Sequence, residues 1–551
     1  MKKINKNLKI KKIYTNFSNC SGWIKIKDSN SSAWFRGYVH NFAKKTLLRK
    51  AIKLKKNELA NFLKSIDGHF CLIVIKKEYS FAAVDKIRSI PIIYTVSKNE
   101  LILAESGIGI SKKIRLRSKD IDIFSSKLFA LSGYSFNQNT LYKNIKQINP
   151  GSYLLITNNK IIQKGYYTWM PWKTNQDNDK LKKLHSLNEK IIKKLIKSCN
   201  GNQIVIPLSG GMDSRFIAAG LKHFGYLNVI CISYGIEGNK DALVAKQVSE
   251  KLGYKWIYIN YTSKKFRDAF QSDDYKKYLN YCDSFTSIHF AGEYLMLHNL
   301  KKNKLLDKNA IIVNGQSGDF ISGNHIPKSS LKHDYSYNNR VAFLAKEHIK
   351  EHYKHWKSLI NEKVYKSVYY YIDEVIKKIG GLPKNPSKDY AIAEFIEFIN
   401  RQTKYVINGQ RNYEYFQYDW RLPLWDDEYL SFWGSTHYSD KINQNLYIKA
   451  LHDANWGNVW GNIEVNPLVI APRWIIPVRL LAKLIFMPIG KKKWHLFERK
   501  YLDYFMTATS CYGPWSYKQI ITDKRGHHSP IGWLIEDYLK NKGLNWKGEI
   551  N

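Results

Sequence analysis

The sequence contains few cysteines, and their spacing is not typical of a metal site. The six cysteines among 551 residues are Cys20, Cys71, Cys199, Cys231, Cys282 and Cys511. They include no CxxC pair, which argues against both a disulfide framework and a zinc site. A chain of this size without such pairing favours a reducing compartment.

Long hydrophobic runs are also missing. No stretch reaches the roughly 18 uninterrupted apolar residues that a membrane-spanning helix needs. The first residues, MKKINKNLKIKKIYTNFSNC, are basic but contain no apolar segment of the kind found in signal peptides. We therefore expect a cytoplasmic protein.

Acidic residues are scarce: 46 Asp and Glu stand against 88 Lys and Arg, a formal net charge of +42. Such an excess can serve an acidic partner, either nucleic acid or anionic lipid. The lysines are spread along the chain, however, and no RRM, KH or helix-turn-helix signature accompanies them. We predict no nucleic-acid partner. The alternative, RNA binding through bulk charge, predicts tight association with a steep salt dependence.

What is present indicates two different halves. The length exceeds one ordinary domain, and 44% hydrophobic residues can fill large cores. Up to residue 165, β-rich runs alternate with polar breaks, which predicts strands in SSAWFRGYVHN, HFCLIVIKK, SFAAVDK, PIIYTV and LILAES. A stretch rich in Lys, Asn and Asp at 173–180 follows, and we interpret it as a linker.

From Leu181 onward the hydrophobic period becomes that of an amphipathic helix. After that helix, apolar runs and helical runs alternate: IVIPLSGGMDSRFIAAGL at 204–221, then NVICISYG, DALVAKQVSEKLG and KWIYINY. This alternation is typical of a parallel α/β sheet. Residues 340–551 are predicted to be mostly helical, and no internal repeat is visible.

The SGGMDS loop at 209–214 carries the clearest chemistry. Ligands of parallel sheets lie beyond the carboxyl ends of the strands, where a following helix offers free N–H groups to phosphate. Gly210 and Gly211 allow close approach of the backbone, while Ser209 and Ser214 add hydroxyls. Asp213 would repel phosphate unless a cation lay between them, so we interpret it as a Mg²⁺ ligand. The loop does not match the P-loop pattern GxxxxGK[ST].

The SGGMDS stretch resembles the PP-loop of ATP pyrophosphatases, which cleave ATP between the α- and β-phosphates. Further segments resemble the asparagine synthetases: ISYGIEGNKDALVAKQVSEKLG, IVNGQSGDFISGN (312–324), DWRLPLWDDEYLSFW (419–433), LYIKALHD and DKRGHHSPIGWLIEDYL (523–539). The resemblance implies ATP and Mg²⁺ as ligands. It places Asp319 with Asp213 on the metal, Tyr234 and Gly315 near adenosine, and Lys524 where charge develops on the reacting phosphate.

The amino-terminal third resembles the glutaminase domain of class II amidotransferases, through IDGHFCLIVIKK, VDKIRSIPIIY and the run at 133–154. The fold implied is α/β and multidomain: an Ntn-hydrolase-like αββα domain over 1–172, and a parallel-sheet PP-loop domain over 181–551 with a helical elaboration at 340–551. The glutaminase nucleophile of that family, an N-terminal cysteine, is not matched by Met-Lys-Lys. Cys20 could replace it only after processing, so we predict that glutamine hydrolysis has been lost.

A second departure lies in the synthetase half. Gln316 stands where the resemblance expects a glutamate, and Phe320 where it expects another acid. If that glutamate takes a proton from the attacking amine, Gln316 can only orient the amine. This puts asparagine synthesis itself in doubt.

We therefore predict an ATP-dependent amide-forming ligase that adenylates a small-molecule or glycan carboxylate and transfers ammonia or an amine to it. RLPLWDDEYLSFW and the YGPWSYKQII run look most like asparagine-synthetase-like proteins of bacterial surface-polysaccharide pathways. Two alternatives remain open: an asparagine synthetase that uses free ammonia, and a nucleotide-binding pseudoenzyme that organises glycan assembly.

Two further patterns have competing explanations. HIKEH (348–352) fits a zinc-protease motif, but its charged surroundings favour a solvated helix face and a chance match. The segment 472–495 interleaves apolar and basic residues, as an interfacial segment on anionic lipid would. It can equally be a buried helix broken by Pro477 and Pro488. If the segment is interfacial, it predicts a peripheral membrane contact through residues 472–495.

Overall fold

The computed structural model describes residues 10–17, 22–28, 30–157, 160–174, 179–327, 335–509, 512–544 and 546. Within these ranges, strands form three sheets, one of them parallel throughout. The predicted mixed α/β class is therefore confirmed. Cys20 and Cys511 lie outside the described residues, as do residues 175–178 of the predicted linker.

Two sheets are built by the amino-terminal part of the chain. Their strands are β1 Lys12–Asn16, β2 Ile24–Lys27, β3 Ser32–Val39, β4 Gly68–Ile75, β5 Ser80–Val84, β6 Ile93–Ser97, β7 Glu100–Ala104, β8 Lys146–Gln147, β9 Ser152–Thr157 and β10 Lys160–Gly165. One sheet is antiparallel in the order β10-β9-β5-β4-β3-β2, and the other has the order β1-β7-β6-β8. All five predicted strand runs are confirmed.

Strand β4 shows why the larger sheet is buried on both faces. Successive side chains of a strand point to opposite faces. Phe70 and Leu72 accordingly join a core with α1 and α2, whereas Cys71 and Ile73 join the large core that also holds the four-stranded sheet. The helices of this region are α1 Lys44–Lys53, α2 Leu59–Ser65, α3 Gly107–Ser111 and α4 Ile123–Ser132.

The third sheet begins after a 20-residue helix, α5 Lys180–Cys199. Its strands are β11 Ile204–Pro207, β12 Val229–Gly235, β13 Lys255–Asn260, β14 Ile311–Val313 and β15 Asp419–Arg421. All pairs are parallel, in the order β13-β12-β11-β14-β15. Helices α6 Asp213–His223 and α7 Lys240–Leu252 connect the first three strands. The strand order reverses between β11 and β14, so ligands are expected at the carboxyl ends of these two strands.

The remaining chain is mostly helical, as predicted. The α-helices are α8 Ser263–Gln271, α9 Asp273–Cys282, α10 Tyr294–Lys302, α11 Gly318–Ile321, α12 Tyr337–His352, α13 Glu362–Lys378, α14 Asp389–Glu397, α15 Gln410–Tyr415, α16 Asp427–Ser435, α17 Tyr438–Lys441, α18 Asn445–Ala454, α19 Ile475–Phe486, α20 Lys491–Phe497, α21 Asp503–Met506, α22 Tyr517–Ile521 and α23 Pro530–Asn541. Two π-helical segments, Phe398–Val406 and Glu498–Leu502, follow α14 and α20.

One continuous core joins the amino-terminal sheets to the rest of the chain. A buried ion network crosses between them: Arg36 and Glu105 of the amino-terminal part contact Arg411 and Glu414 of α15. All four side chains are at most 5% exposed. The two parts therefore share buried charge as well as apolar contacts, and the domain boundary at 173–180 stays a prediction.

The structure corrects the solvated-face interpretation of HIKEH. On α12, His348 is buried and stacks edge-on against Phe136, while His352 lies 3.6 Å from the buried carboxylate of Glu397. Both histidines are less exposed than the two charged residues between them, since Lys350 is 62% and Glu351 41% exposed against 15% for His352. The two histidines are not part of any group of three or more metal-ligating side chains within the described ranges.

The buried-helix interpretation of 472–495 is also wrong. Within α19 only Ile475 and Ala482 are buried. Pro477 is accommodated in the first turn, where the missing N–H has no partner to lose, and the helix ends before Pro488. Among the described residues, no helix combines the length and apolarity required to cross a bilayer.

Candidate active site

The SGGMDS loop occupies the carboxyl end of the central strand. Strand β11 ends at Pro207, and α6 begins at Asp213. The hydroxyl oxygen of Ser214 accepts from the N–H of Ser209 at 3.1 Å, and that of Ser209 accepts from the N–H of Gly211 at 3.3 Å. These bonds fix a tight turn that presents the amino-terminal end of α6, with its positive dipole, to the cavity.

Gly210 is anchored on both of its backbone groups. Its N–H donates to the carboxylate of Asp241 at 2.8 Å, and its carbonyl accepts from the N–H of Asn466 at 2.9 Å. Arg215, buried beneath the loop, also donates to that carbonyl at 3.4 Å. An anion that binds the loop amides therefore competes with Asp241, a residue that sequence reasoning did not single out.

Two glycines after β14 allow a second loop to touch the first. A Cβ on Gly315 would lie 2.7 Å from the backbone nitrogen of Ser214, and a Cβ on Gly318 would lie 2.5 Å from Oδ1 of Asp213. Any side chain at either position would force the loops apart. Between them, Ser317 adopts a left-handed conformation, with φ of 71°, and its hydroxyl donates to Gln402 at 2.8 Å.

This close approach joins the two predicted metal ligands. The N–H of Asp319 donates to Oδ2 of Asp213 at 2.9 Å, and the hydroxyl of Tyr447 donates to Oδ1 at 3.1 Å. Burial, together with the charge of Asp319, raises the pKa of Asp213 to about 8. The carboxyl groups thus lie close enough that a neighbouring positive charge is needed to ionise both.

His325 neutralises part of that charge. Its Nε2 lies 3.4 Å from Asp319 and its Nδ1 lies 2.8 Å from Glu397. Burial lowers the pKa of His325, but hydrogen bonds to these two carboxylates outweigh burial and raise it to about 10. Burial raises the pKa of Asp319, yet the hydrogen bond from His325 outweighs it and the pKa is lowered overall. Carboxylate oxygens are the ligands that Mg²⁺ prefers, so Asp213 and Asp319 fit such an ion.

The two loops line a cavity of about 440 Å³. Of the predicted site residues, it is lined by Ser209, Gly211, Asp213, Ser214, Tyr234, Gly315, Gln316 and Asp319. Gly210 lies in the same loop but is not part of the wall. Sequence reasoning missed other polar residues of the wall, several of them from distant segments: Asp241, Glu293, Asn314, Asn324, Gln444, Asn466 and Thr509.

Lys524 is not among the residues that line this cavity. It lies in the turn after α22, and its side chain is exposed. Its predicted role at the reacting phosphate therefore stays a prediction. Phe320 is buried under the second loop, where its ring lies 5.9 Å from that of Trp169 and 6.1 Å from that of Trp425.

Gln316 is held by its neighbours at the edge of the cavity. Its N–H donates to Asn314 at 2.8 Å, and its side-chain amide donates to Gln410 at 3.1 Å. An acid is nevertheless present in the same wall. Glu293, directly before α10, is 5% exposed, and burial raises its pKa to about 7 against the hydrogen bonds of Tyr413 and Asn412.

A second cavity, of about 700 Å³, adjoins the first at Asn324. Its wall contains His325, His352, Glu397 and Arg401. The guanidinium of Arg401 donates to Glu397 at 3.0 Å, which uses one of its five N–H donors. This cavity offers space and a cation beside the carboxylate pair.

Comparison with known proteins finds a family model for the central part of the chain. The family model described as asparagine synthase matches residues 202–451. That range holds the parallel sheet, both loops, Glu293 and Gln316. It leaves out the amino-terminal sheets and Lys524.

One curated relative is a probable asparagine synthetase (glutamine-hydrolyzing) of Acanthamoeba polyphaga mimivirus. It is 27% identical over 164 residues, which are 30% of this chain and 28% of that protein. The match thus spans little more than a quarter of the relative's length.

Two solved structures share weaker similarity. One is titled as the allosteric regulatory enzyme of purine biosynthesis, with 12% identity, 43% of this chain and 62% of that chain covered, and a TM-score of 0.18. The other is glutamine phosphoribosylpyrophosphate amidotransferase from B. subtilis complexed with ADP and GMP, with 8% identity, 54% and 64% coverage, and a TM-score of 0.19. Scores this low do not establish a shared fold.

Proposed function

We propose that this protein is an ATP-dependent carbon–nitrogen ligase of the asparagine synthase type. It would adenylate the carboxylate of an acceptor, release pyrophosphate, and form an amide with ammonia or an amine. The observation that carries the proposal is the pairing of the SGGMDS loop with Asp213 and Asp319 at the strand-order reversal. The asparagine synthase match over 202–451 supports it.

The loop would hold the pyrophosphate part of ATP. The amino-terminal end of α6 and the hydroxyls of Ser209 and Ser214 suit phosphate oxygens, and an incoming phosphate would displace Asp241 from the N–H of Gly210. Tyr234, at the end of β12, lies on the wall where the adenosine would extend. Positioning and charge neutralisation supply most of the rate enhancement in such a transfer.

Asp213 and Asp319 would hold Mg²⁺, which neutralises the charge of the leaving pyrophosphate when it is bound. His325 keeps Asp319 ionised, and Tyr447 orients Asp213. The acceptor carboxylate would enter from the second cavity, where Arg401 can bind it. This side of the carboxylate pair has room for an acid larger than aspartate, which supports a glycan sugar acid as the acceptor.

The nitrogen would come from ammonia or a substrate amine rather than from glutamine. Glutamine hydrolysis of this kind requires a thiolate nucleophile. Cys71 is the cysteine found among the described residues of the amino-terminal sheets. Its side chain is fully buried, and burial raises the pKa of its thiol well above the ordinary value. A thiol in such surroundings is a poor nucleophile.

Exchange of radiolabelled pyrophosphate into ATP tests the proposal. It is measured with Mg²⁺ and without ammonia over aspartate, uronic acids and nucleotide-linked uronates. We expect exchange that depends on one class of acid and that disappears in Asp213→Ala. Exchange with aspartate alone would favour an asparagine synthetase that uses free ammonia. ATP binding without exchange for any acid would favour the alternative of a nucleotide-binding pseudoenzyme that organises glycan assembly.

A further inference from the structure

Formation of an amide requires a proton acceptor that Gln316 cannot provide. When a nitrogen nucleophile attacks an acyl-adenylate, the new C–N bond leaves a positive nitrogen that must lose a proton. The cavity wall contains four carboxyl groups: Asp213, Asp241, Glu293 and Asp319. Asp213 and Asp319 are the proposed Mg²⁺ ligands, and Asp241 contacts the loop proposed to hold pyrophosphate, at the N–H of Gly210. Glu293 is the member of this set that remains for proton transfer.

Glu293 is connected to Gln316 through hydrogen bonds. The N–H of Gln316 donates to the side chain of Asn314 at 2.8 Å, and the amide of Asn314 donates to the hydroxyl of Tyr413 at 2.6 Å. Tyr413 and Asn412 in turn bond to Glu293. The carboxyl is thus fixed on the wall that Gln316 also lines.

The environment of Glu293 suits a base near neutral pH. Among the described residues, Tyr413 of α15 and Tyr278 of α9 are titratable groups that interact with Glu293. Burial raises the pKa of both tyrosines well above the ordinary value, so neither titrates near neutrality. A pKa of about 7 for Glu293 leaves the carboxylate populated while keeping it basic enough to take a proton.

We propose that Glu293 is the general base of amide formation, in place of the acid that is absent at position 316. The nitrogen lone pair forms the bond to the acyl carbon, the bond from that carbon to the phosphate oxygen breaks, AMP leaves with the electron pair, and the nitrogen proton passes to Glu293. This assignment rests on the proposed ligase function.

Glu293→Gln separates the two half-reactions. Adenylation needs no base, so acid-dependent pyrophosphate exchange should stay within about two-fold of wild type, while amide formation with ammonia should fall by about 100-fold or more. At a constant concentration of unprotonated ammonia, the wild-type rate should rise with pH through about 7, and the variant should lack that rise. The double variant Glu293→Gln/Gln316→Glu should recover part of the rate.

The outcomes are distinguishable. An unchanged amide rate and pH profile in Glu293→Gln would overturn the assignment of the base while leaving the ligase intact. Loss of exchange together with amide formation would make Glu293 a structural or binding residue. Absence of exchange in the wild-type protein would overturn the ligase function and this assignment with it.

A different observation supports a second inference, which does not depend on the ligase. Helices α19 and α20 and the turn between them expose a row of large apolar side chains. Their exposed fractions range from 39% to 74%, for Trp474, Val478, Leu480, Leu481, Leu484, Ile485, Met487, Ile489 and Leu496. Monomeric soluble proteins rarely leave such a contiguous patch open, so this apolar patch marks an interaction surface.

Positive charge surrounds the apolar patch. Arg473, Lys483 and the run Lys491, Lys492 and Lys493 are all exposed. Glu498, in the π-helical segment that contacts α19, forms an ion pair with Arg479 at 2.6 Å. Apolar side chains with an exposed tryptophan and a basic rim match the interface of an anionic bilayer, where rings and lysines lie at the headgroups.

We infer that the apolar patch docks on an anionic lipid surface. Sedimentation with vesicles of about 30% phosphatidylglycerol in phosphatidylcholine tests this. We expect binding that falls at least ten-fold on pure phosphatidylcholine and in the variant Leu481→Glu/Leu484→Glu. The matched control is Leu227→Glu, which changes a leucine that is 72% exposed elsewhere and should bind as wild type does. Vesicle binding that the double variant Leu481→Glu/Leu484→Glu retains as well as the control does would contradict the inference. The inference would also fail if the wild-type protein bound no vesicles and instead formed dimers that the double variant disrupts, because the apolar patch would then bind a second copy of the chain.

Discussion

The backbone N–H of Asp319 donates a 2.9 Å hydrogen bond to the carboxylate of Asp213. This bond ties together the loops that follow β14 and β11, the two strands between which the sheet order reverses. It places two acids from chain positions 106 residues apart on the wall of one cavity. The proposed chemistry depends on this pairing.

Gly318→Ala should separate the two loops. The added Cβ would lie 2.5 Å from Oδ1 of Asp213 and 2.6 Å from Leu424, so the carboxylate must move. We expect acid-dependent pyrophosphate exchange to fall by about 100-fold, because displacement of a catalytic group by about 1 Å can have that effect. Gly461→Ala is the control, since a Cβ there meets nothing within 4 Å. Equal exchange in the two variants would show that the loop contact is not required.

Asp213 and Asp319 should determine the magnesium requirement. Replacing either by asparagine removes one charged ligand, so half-maximal exchange should require at least ten-fold more Mg²⁺. Titration of exchange activity against Mg²⁺ measures this. Asp241→Asn is the comparison, because Asp241 contacts the loop amide rather than the pair. An unaltered magnesium titration in both variants would remove these residues from the metal site.

The buried network around Glu105 should stabilise the junction of the amino-terminal sheets with α15. Glu105→Ala would leave Arg36 and Arg411 without one of their two carboxylates in a site from which water is excluded. Removal of one partner of a buried ion pair costs about 3–5 kcal/mol of unfolding free energy. Urea unfolding measures the loss. Glu189→Ala is the control, because Glu189 forms an exposed helix pair with Lys193 that should contribute less than about 1 kcal/mol.

Lys524 is assigned a role by the family resemblance but does not line the cavity, so a variant at this position tests that role. We expect Lys524→Ala to lower the rate of pyrophosphate exchange by at least ten-fold without changing the melting temperature, because the side chain is exposed and charge stabilisation acts in the transition state. Lys518→Ala, in the neighbouring helix α22, is the control. Wild-type exchange in Lys524→Ala would show that the cavity functions without this residue.

Local patterns were enough to predict the elements that hold the site. Within residues 204–221, the apolar run predicts a strand, the glycine pair predicts a turn, and the amphipathic run predicts a helix. The structure has β11, the SGGMDS loop and α6 at these positions. Strand β15 was missed because three residues, Asp419–Arg421, are too short to show alternation. His348 was assigned to a solvated face because lysines and glutamates beside it hide the narrow inward face of α12.

The composition of the cavity wall was less predictable. Glu293, Asp241 and Asn466 come from separate segments, and no spacing in the sequence relates them to the loop. Glu293 stands in AGEYLM, between two apolar stretches, where its burial could have been noticed as unusual for an acid. Its contacts with Asn412 and Tyr413 depend on how α10 and α15 pack, which no local pattern encodes.

The products of ATP cleavage distinguish the proposed ligase from an enzyme that cleaves ATP between the β- and γ-phosphates. The purified protein is incubated with ATP, Mg²⁺, ammonium and the acid that supports exchange, and the nucleotide and phosphate products are separated and quantified. A ligase of the proposed type should release AMP and pyrophosphate in equal amounts, matched by the amide formed. ADP and inorganic phosphate would contradict the proposal, because the loop and the carboxylate pair would then serve cleavage between the β- and γ-phosphates.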